Sequence, residues 1–323
     1  MNRMKTAVIG TNTGEAKRWL EAGQVIGIPT ETVYGLAGNA LSPAAVARIF
    51  EVKNRPTFDP LIVHSSRPEK IARFVTEMPP AARRLAEAFW PGPLTLLLKK
   101  ADCVPDLVTA GLDTVAVRIP DHPLTLRLLD ALDFPLAAPS ANPFGYVSPT
   151  RASHVQAQLG DKIPYILDGG PCQVGIESTI VGFEGPELVV YRLGGIAVEA
   201  IERLMGPVRV MAHSSSNPKA PGMLKSHYAP RKPVFTAGLP GLVDQYGPAA
   251  VGVLAFKGLY PDVPAANQFV LSEAGSATEA AQRLFAGLRY LDGLPVAAIY
   301  AELLPEKELG RAINDRIRRA AAR

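Results

Sequence analysis

Short runs of β-forming residues alternate with helical patterns from residue 24 to about residue 210, and this alternation restricts the chain to a sheet covered by helices. Strands are expected at 24–28, 61–64, 94–98, 115–119, 136–138, 165–167, 179–181 and 188–191. Helices are expected at 79–90, 124–131, 150–159 and 198–205. Ser42-Pro43 reads as an N-cap with proline at the first helical position, and Val46, Ile49 and Phe50 continue an apolar stripe from it. Several connections are too short for helical crossovers, so a mixed sheet is expected rather than a purely parallel one.

The pattern lapses over 212–232, where Ser214-Ser215-Ser216-Asn217-Pro218 and Ala220-Pro221-Gly222 read as a linker. A second unit follows, with strand patterns at 250–255 and 296–300 and helices at 276–291 and from 309 to the end. In the last helix Leu309, Ile313, Ile317 and Ala320 share one side, and the arginines are expected elsewhere. The expected organisation is a larger domain over 1–211, the linker, and a smaller domain over 233–323.

Composition excludes several classes. A hydrophobic share of 47% and a charged share of 20% are those of a globular chain, and a net charge of +4 favours anionic partners without implying a nucleic-acid coat. Cys103 and Cys172, the only cysteines, suit neither a disulfide scaffold nor a zinc site, and a reduced cytoplasmic setting is expected. Residues 1–14 contain no apolar signal-peptide core, and no window is apolar enough for a membrane span. The five histidines (His64, His122, His154, His213, His227) show no metal-ligand spacing, so no protein-held metal is expected. There is no P-loop, no G-x-G-x-x-G, no H-E-x-x-H and no G-x-S-x-G.

What remains is a set of cations and hydroxyls at element ends. Lys53-Asn54-Arg55-Pro56 places an ammonium and a guanidinium where a helix gives way to an extended segment, a pairing suited to polyphosphate. The alternative is a solvated helix end whose basic residues favour the C-terminal dipole. Pro139-Ser140-Ala141-Asn142 is a stiff turn whose polar groups either bond their own backbone or face a ligand. Arg118 sits within an apolar strand, either at the solvent face or aimed at a carboxylate. His64 ends a similar strand, Arg192 precedes Gly194-Gly195, Glu177-Ser178-Thr179 introduces another strand, and His227-Tyr228 is an aromatic step in the linker. Signals of one kind at the strand ends of one domain point to a ligand site there.

These same residues resemble, in order, the YrdC-type threonylcarbamoyl-AMP synthases in their long form. The matching blocks are Pro29-Thr30-Glu31-Thr32-Val33-Tyr34-Gly35-Leu36, Lys53-Asn54-Arg55-Pro56, Pro60-Leu61-Ile62-Val63-His64, Trp90-Pro91-Gly92-Pro93-Leu94-Thr95 and Thr109-Ala110-Gly111-Leu112-Asp113-Thr114-Val115-Ala116-Val117-Arg118. Ala138-Pro139-Ser140-Ala141-Asn142 and Glu177-Ser178-Thr179-Ile180 follow, and His227-Tyr228-Ala229-Pro230 with Ala312-Ile313-Asn314-Asp315-Arg316 resemble the long form in particular. The resemblance implies a twisted mixed-sheet α/β domain with a concave basic cavity, plus a smaller Rossmann-like C-terminal domain. It implies conversion of L-threonine, bicarbonate or carbon dioxide, and ATP to L-threonylcarbamoyl-AMP and pyrophosphate. Mg²⁺ would accompany ATP, and the product would feed N6-threonylcarbamoylation of tRNA beside the anticodon, which a separate transferase completes.

By position, the resemblance assigns threonine to Thr32, His64, Arg118, Ala138 and Ser178. It assigns ATP to Lys53, Arg55, Asp59, Thr114, Ser140, Ser148, Arg192 and Tyr228, and catalysis to Lys53, Arg55, Ser140 and Asn142. Asp59 stands where the family often has asparagine, and Leu224, Lys225 and Ser226 depart from a commoner, more basic linker. Two competing readings are a module that binds structured RNA without catalysis and an enzyme that adenylates the carbamate of another amine. RNA binding, even if weak, draws on spread-out Lys and Arg, whereas here hydroxyls are interleaved with single cations.

Overall fold

The computed structural model describes residues 6–211, 220–223 and 226–322. Of the expected linker features, residues 214–218 with Leu224 and Lys225 lie outside the described residues, as does His213.

The larger sheet begins with β1 (Val8–Gly10), β2 (Ile26–Ile28), β3 (Gly35–Asn39), β4 (Ile62–His64) and β5 (Leu94–Lys99). It continues with β6 (Thr114–Arg118), β7 (Leu136–Ala137), β8 (Tyr165–Leu167), β9 (Thr179–Glu184), β10 (Glu187–Arg192) and β11 (Arg209–Val210). Their order is β1-β8-β2-β3-β7-β4-β6-β5-β9-β10-β11. Parallel pairs such as β4/β6 and β5/β9 alternate with antiparallel ones such as β5/β6 and β9/β10, so the sheet is mixed. The periodicity passed over β3. Its sequence Gly-Leu-Ala-Gly-Asn lacks β-branched residues, and pairing with β2 and β7 imposes the strand instead.

Alternation along the central strands divides two environments. Val63, Val115, Val117, Leu94, Leu96, Leu98, Val181 and Val190 point into the main core, against the helices Pro43–Lys53, Pro80–Phe89 and Val198–Met205. Burying each such aliphatic side chain stabilises the fold by about 1.5–3 kcal/mol. On the other face Ile62, Leu97, Ala116, Ile180, Val189 and Tyr191 pack under Ala220 and Met223 of the linker. The same rows continue into His64, Thr95, Arg118 and Ser178, all buried and all polar. One sheet face is thus apolar at one end and polar at the other.

The smaller sheet is wholly parallel, with β12 (Val234–Phe235), β13 (Val251–Ala255), β14 (Gln268–Val270) and β15 (Ala298–Ala301) in the order β12-β15-β13-β14. The two expected strands here are β13 and β15; β12 and β14 are too short to show a period. Val33, Val147, Ile176 and Tyr228 share one apolar cluster with Leu254, Phe285, Leu288 and Ile317 of this unit. At Gly175, with φ +78°, a Cβ would fall 2.3 Å from Gln282 Cα, so only glycine lets the helix Ala277–Gly293 come this close. Arg289 of that helix donates to the carbonyl of Val147 and, at 3.2 Å, to that of Ser148. No helix among the described residues is long and apolar enough to cross a membrane.

Candidate active site

The polar ends of the rows open into a cavity of about 590 Å³, counting its mouth. One pole is organised by Arg118 at the end of β6. Its Nη1 donates to Thr32 Oγ1 at 2.9 Å, its Nε to the Gly92 carbonyl at 3.3 Å, and its Nη2 lies 2.5 Å from Glu31 Oε1. The Glu31 contact is an ion pair without hydrogen-bond alignment, and neither carboxylate oxygen has another partner. Thr32 is fixed in turn because Thr30 Oγ1 lies 2.8 Å from its hydroxyl and accepts from the Thr32 and Val33 amides. Ser178 Oγ lies 2.7 Å from Thr95 Oγ1 across the strand pair. His64 Nδ1 lies 3.2 Å from the Ile62 carbonyl, and burial, with Arg118 beside it, pushes its pKa down to about 3, so the ring is neutral. The Ala138 amide donates to Ile62 within the sheet, leaving its outer edge to the cavity wall.

The other pole gathers Arg55, Ser140, Arg192 and Tyr228. Arg55 follows Asn54, whose left-handed conformation (φ 51°, ψ 42°) ends the helix Pro43–Lys53 and turns the chain. The two cations of Lys53-Asn54-Arg55 therefore diverge. Arg55 lines the cavity, held by the Pro60 carbonyl at 2.9 Å and by Asp59 Oδ2 at 2.9 Å. Lys53 is instead buried beneath the wall, donating to the carbonyls of Ser140 and, at 2.6 Å, Asn142. Burial first and Arg55 second draw its pKa well below the ordinary lysine value. Asn142 is likewise a brace, its amide donating to Pro143 and Tyr146 carbonyls at 2.9 Å each.

A bulge between Val190 and Arg192 re-aims Arg192 into the cavity. It donates to Ser178 through Nε to the carbonyl and Nη2 to the hydroxyl, both at 3.0 Å, and to the Pro221 carbonyl at 3.4 Å. No carboxylate pairs with it among the described residues, and burial lowers its pKa to about 10. Tyr228, at φ 63°, lies with the guanidinium carbons of Arg316 and Arg319 5.4 and 4.8 Å from its ring centre, and burial raises its phenol pKa.

Several expected contacts lie away from the cavity surface. Asp59 is fully buried, pairs with Arg55, and accepts weakly from the Gly222 amide at 3.5 Å. Ser148 donates to Glu177 Oε1 at 2.6 Å. Thr114 lies beyond Ala116 on the row of Arg118, where Ala220 and Met223 intervene. The sequence reading assigned no role to Glu31, Thr95, Glu177 or Arg316. The two carboxylates precede Thr32 and Ser178 directly, which was the signal available. Arg316 lies within one helical turn of both Ile313 and Ala320, so the expectation that the arginines lie off the buried side of Leu309, Ile313, Ile317 and Ala320 is corrected: Arg316 and Arg319 are both buried.

A mixed sheet with a concave polar face, joined to a small parallel-sheet domain, defines an α/β protein that sets a hydroxyl-lined pocket against three guanidinium groups, Arg55, Arg118 and Arg192. Residues 18–194 match the Sua5–YciO–YrdC family model, described as "Telomere recombination", and residues 196–322 match "Threonylcarbamoyl-AMP synthase, C-terminal domain". Threonylcarbamoyl-AMP synthase of Pyrococcus abyssi is 41% identical over 95% of this chain and 93% of its own. That of Bacillus subtilis is 40% identical, over 95% and 92%. A crystal structure of P. abyssi Sua5 complexed with L-threonine superposes with a TM-score of 0.88 at 38% identity, covering 98% of this chain and 97% of that one. The chain belongs to the threonylcarbamoyl-AMP synthase family of nucleotidyltransferase-type enzymes.

Proposed function

We propose that this chain condenses L-threonine, bicarbonate or carbon dioxide, and ATP into L-threonylcarbamoyl-AMP and pyrophosphate. The observation that carries the reading is the meeting, in one cavity, of Arg118, Thr32 and Ser178 with Arg55 and Arg192. Threonine's carboxylate sits against Arg118, and its hydroxyl bonds Thr32 or Ser178, with His64 and Ala138 completing the pocket. A site that hydrogen-bonds this hydroxyl disfavours amino acids lacking it.

The deprotonated amine adds to carbon dioxide, forming the C–N bond and releasing a proton to solvent. A carbamate oxygen then attacks the α-phosphorus of ATP, and the bond to the β-phosphate oxygen breaks, releasing pyrophosphate. Two anions must approach, and Arg55 and Arg192 offset their repulsion. One such charge pair at about 4 Å is worth roughly 4 kcal/mol before desolvation at an effective dielectric near 20. The neutral His64 and the engaged carboxylates leave positioning and charge as the means of catalysis.

Ser140, Asp59, Thr114 and Tyr228 surround the nucleotide once the segment at Pro221 and Gly222 lifts from Arg192 and Asp59, and Ser148 acts on it through Glu177. Lys53 and Asn142 act by bracing the turn that carries Ser140. Mg²⁺ enters as part of the ATP substrate, since Asp59 and Glu177 are already paired with arginines. The product supplies the N6-threonylcarbamoyl group of the tRNA adenosine beside the anticodon, transferred by separate machinery in the cytoplasm. The test is incubation with ATP, bicarbonate and a panel of amino acids while pyrophosphate is followed. Release that depends on threonine is expected; equal release with every amino acid, or with none, overturns the reading.

A further inference from the structure

The last helix, Leu309–Ala321, carries Arg316 into the space between the domains, where its side chain is fully buried. Its Nε lies 3.2 Å from Glu177 Oε2, and its Nη1 donates to the Leu193 carbonyl and lies 3.1 Å from Asp315 Oδ2. Its guanidinium carbon stands 5.4 Å from the centre of the Tyr228 ring. Glu177 and Tyr228 line the cavity, while Arg316 reaches it only through them. Gly194 lets this happen: a Cβ there would fall 2.3 Å from the Ser178 carbonyl carbon, so a larger residue would push the Leu193 loop off Glu177 and Ser178.

A buried ion pair is weak evidence of a stabilising device, because apolar replacement is often neutral. Its place in the site is more telling. Glu177 puts a carboxylate into the wall of a cavity read above as taking a triphosphate, and an uncompensated charge there would repel the substrate. We propose that Arg316 is a positioning residue for nucleotide binding: it neutralises Glu177 and holds that carboxylate on the Ser148 hydroxyl. The small domain is then part of the nucleotide site, supplied through one helix. This inference rests on the ATP reading.

Glu177 is faced by Ser148, by Arg192 of β10, by Tyr228 of the linker, and by Arg316 with Asp315 behind it. Burial alone would raise its carboxyl pKa; Arg316 and Arg192, with Ser148, outweigh that and hold it below the usual range. Without Arg316 the burial that raises the carboxyl pKa is less opposed, so lowering the pH should neutralise the carboxyl more readily than in the parent. Equilibrium binding of Mg-ATP to the full chain without threonine tests this near pH 6 and near pH 8. Arg316→Met is expected to weaken binding about tenfold or more near pH 8, equivalent to about 1.4 kcal/mol, and much less near pH 6. Adding Glu177→Gln should restore affinity at both. Arg316→Lys, which keeps the charge, should retain most of it and serves if the Met variant does not fold. Arg311→Ala, which breaks the pair with Glu199 elsewhere between the domains, should leave affinity unchanged.

Unaltered affinity in Arg316→Met overturns the inference. So does a loss that ignores pH and survives Glu177→Gln, a strong loss in folded Arg316→Lys, or an equal loss in Arg311→Ala. Failure of the unaltered chain to bind ATP overturns the ATP reading, and this inference with it.

Discussion

The two poles of the cavity are built differently. The pole around Arg118 comes from strand ends of one sheet and the turns that abut them, with Thr32, His64, Thr95 and Ser178 tied by bonds inside that sheet. The pole around Arg55 and Arg192 is assembled from a helix end, a proline-bracketed turn, a bulged strand, the linker and, through Glu177, the C-terminal helix. The first is as rigid as its sheet. The second exists only while separate segments stay packed, so amino-acid recognition should survive insults that abolish nucleotide use.

The largest break in that comparison is expected from Arg55→Ala. It removes a cation from the phosphate pole and strands buried Asp59, so pyrophosphate formation should fall by about 10²–10³, the loss typical of removing one transition-state donor. Threonine binding, measured by calorimetry without ATP, should be nearly unchanged; a parallel loss would show that the poles are not separable. Arg118→Ala is the mirror experiment, expected to raise the threonine requirement by about 10–100-fold while the ATP requirement moves little. It leaves Glu31 buried without a counter-charge, so its thermal stability should fall as well. Steady-state titration of each substrate separates the two outcomes.

Lys53→Met should have a smaller effect and sharpens the comparison. The substitution leaves the Asn142 carbonyl without its donor, costing about 1–3 kcal/mol if nothing replaces it, while the Ser140 carbonyl keeps the Asn142 amide. Denaturation by urea should show that loss, and the ATP requirement should rise by a few fold with the threonine requirement constant. A collapse of turnover as deep as that of Arg55→Ala would instead mean that Lys53 touches the phosphates.

Much of the sheet was legible because its central strands alternate cleanly, and the cavity residues appear as polar interruptions of apolar rows, as at Arg118 and His64. Lys53 and Arg55 were legible as a pair of cations but not as a divergent pair, because the divergence is made by the left-handed Asn54. Asparagine tolerates that left-handed helix end, yet it is also common in ordinary turns, so no periodicity encodes the divergence. Glu177 and Arg316 were hidden for another reason: they partner each other across the two domains, 139 positions apart. Only the docking of two domains makes a buried charge at either position tolerable.

The smallest expected effect near neutral pH, where both rings are neutral, compares two histidines, one in each setting. His64 belongs to the sheet-built pole, and its pKa is pushed from 6.5 to about 3 by burial and then by Arg118. His154 lies behind the turn that carries Ser148, accepts from the Thr150 amide at 3.2 Å, and is pushed to about 4 by burial, Arg289 and Arg151. Both pKa values are lower folded than unfolded. The unfolded chain therefore binds protons the folded chain refuses, and stability present above about pH 6.5 is lost as pH falls towards 3 for His64 and towards 4 for His154. Each group contributes a slope of up to about 1.4 kcal/mol per pH unit inside its window. His122 and His227 titrate in the same sense and remain as background in either variant. Urea midpoints at several pH values should show a shallower acid slope in His64→Gln that persists down to about pH 3, and in His154→Gln one that converges with the parent below about pH 4. If His64→Gln leaves the slope unchanged, the ring takes up its proton as readily folded as unfolded, and burial beside Arg118 does not hold it neutral in acid as the threonine pole requires.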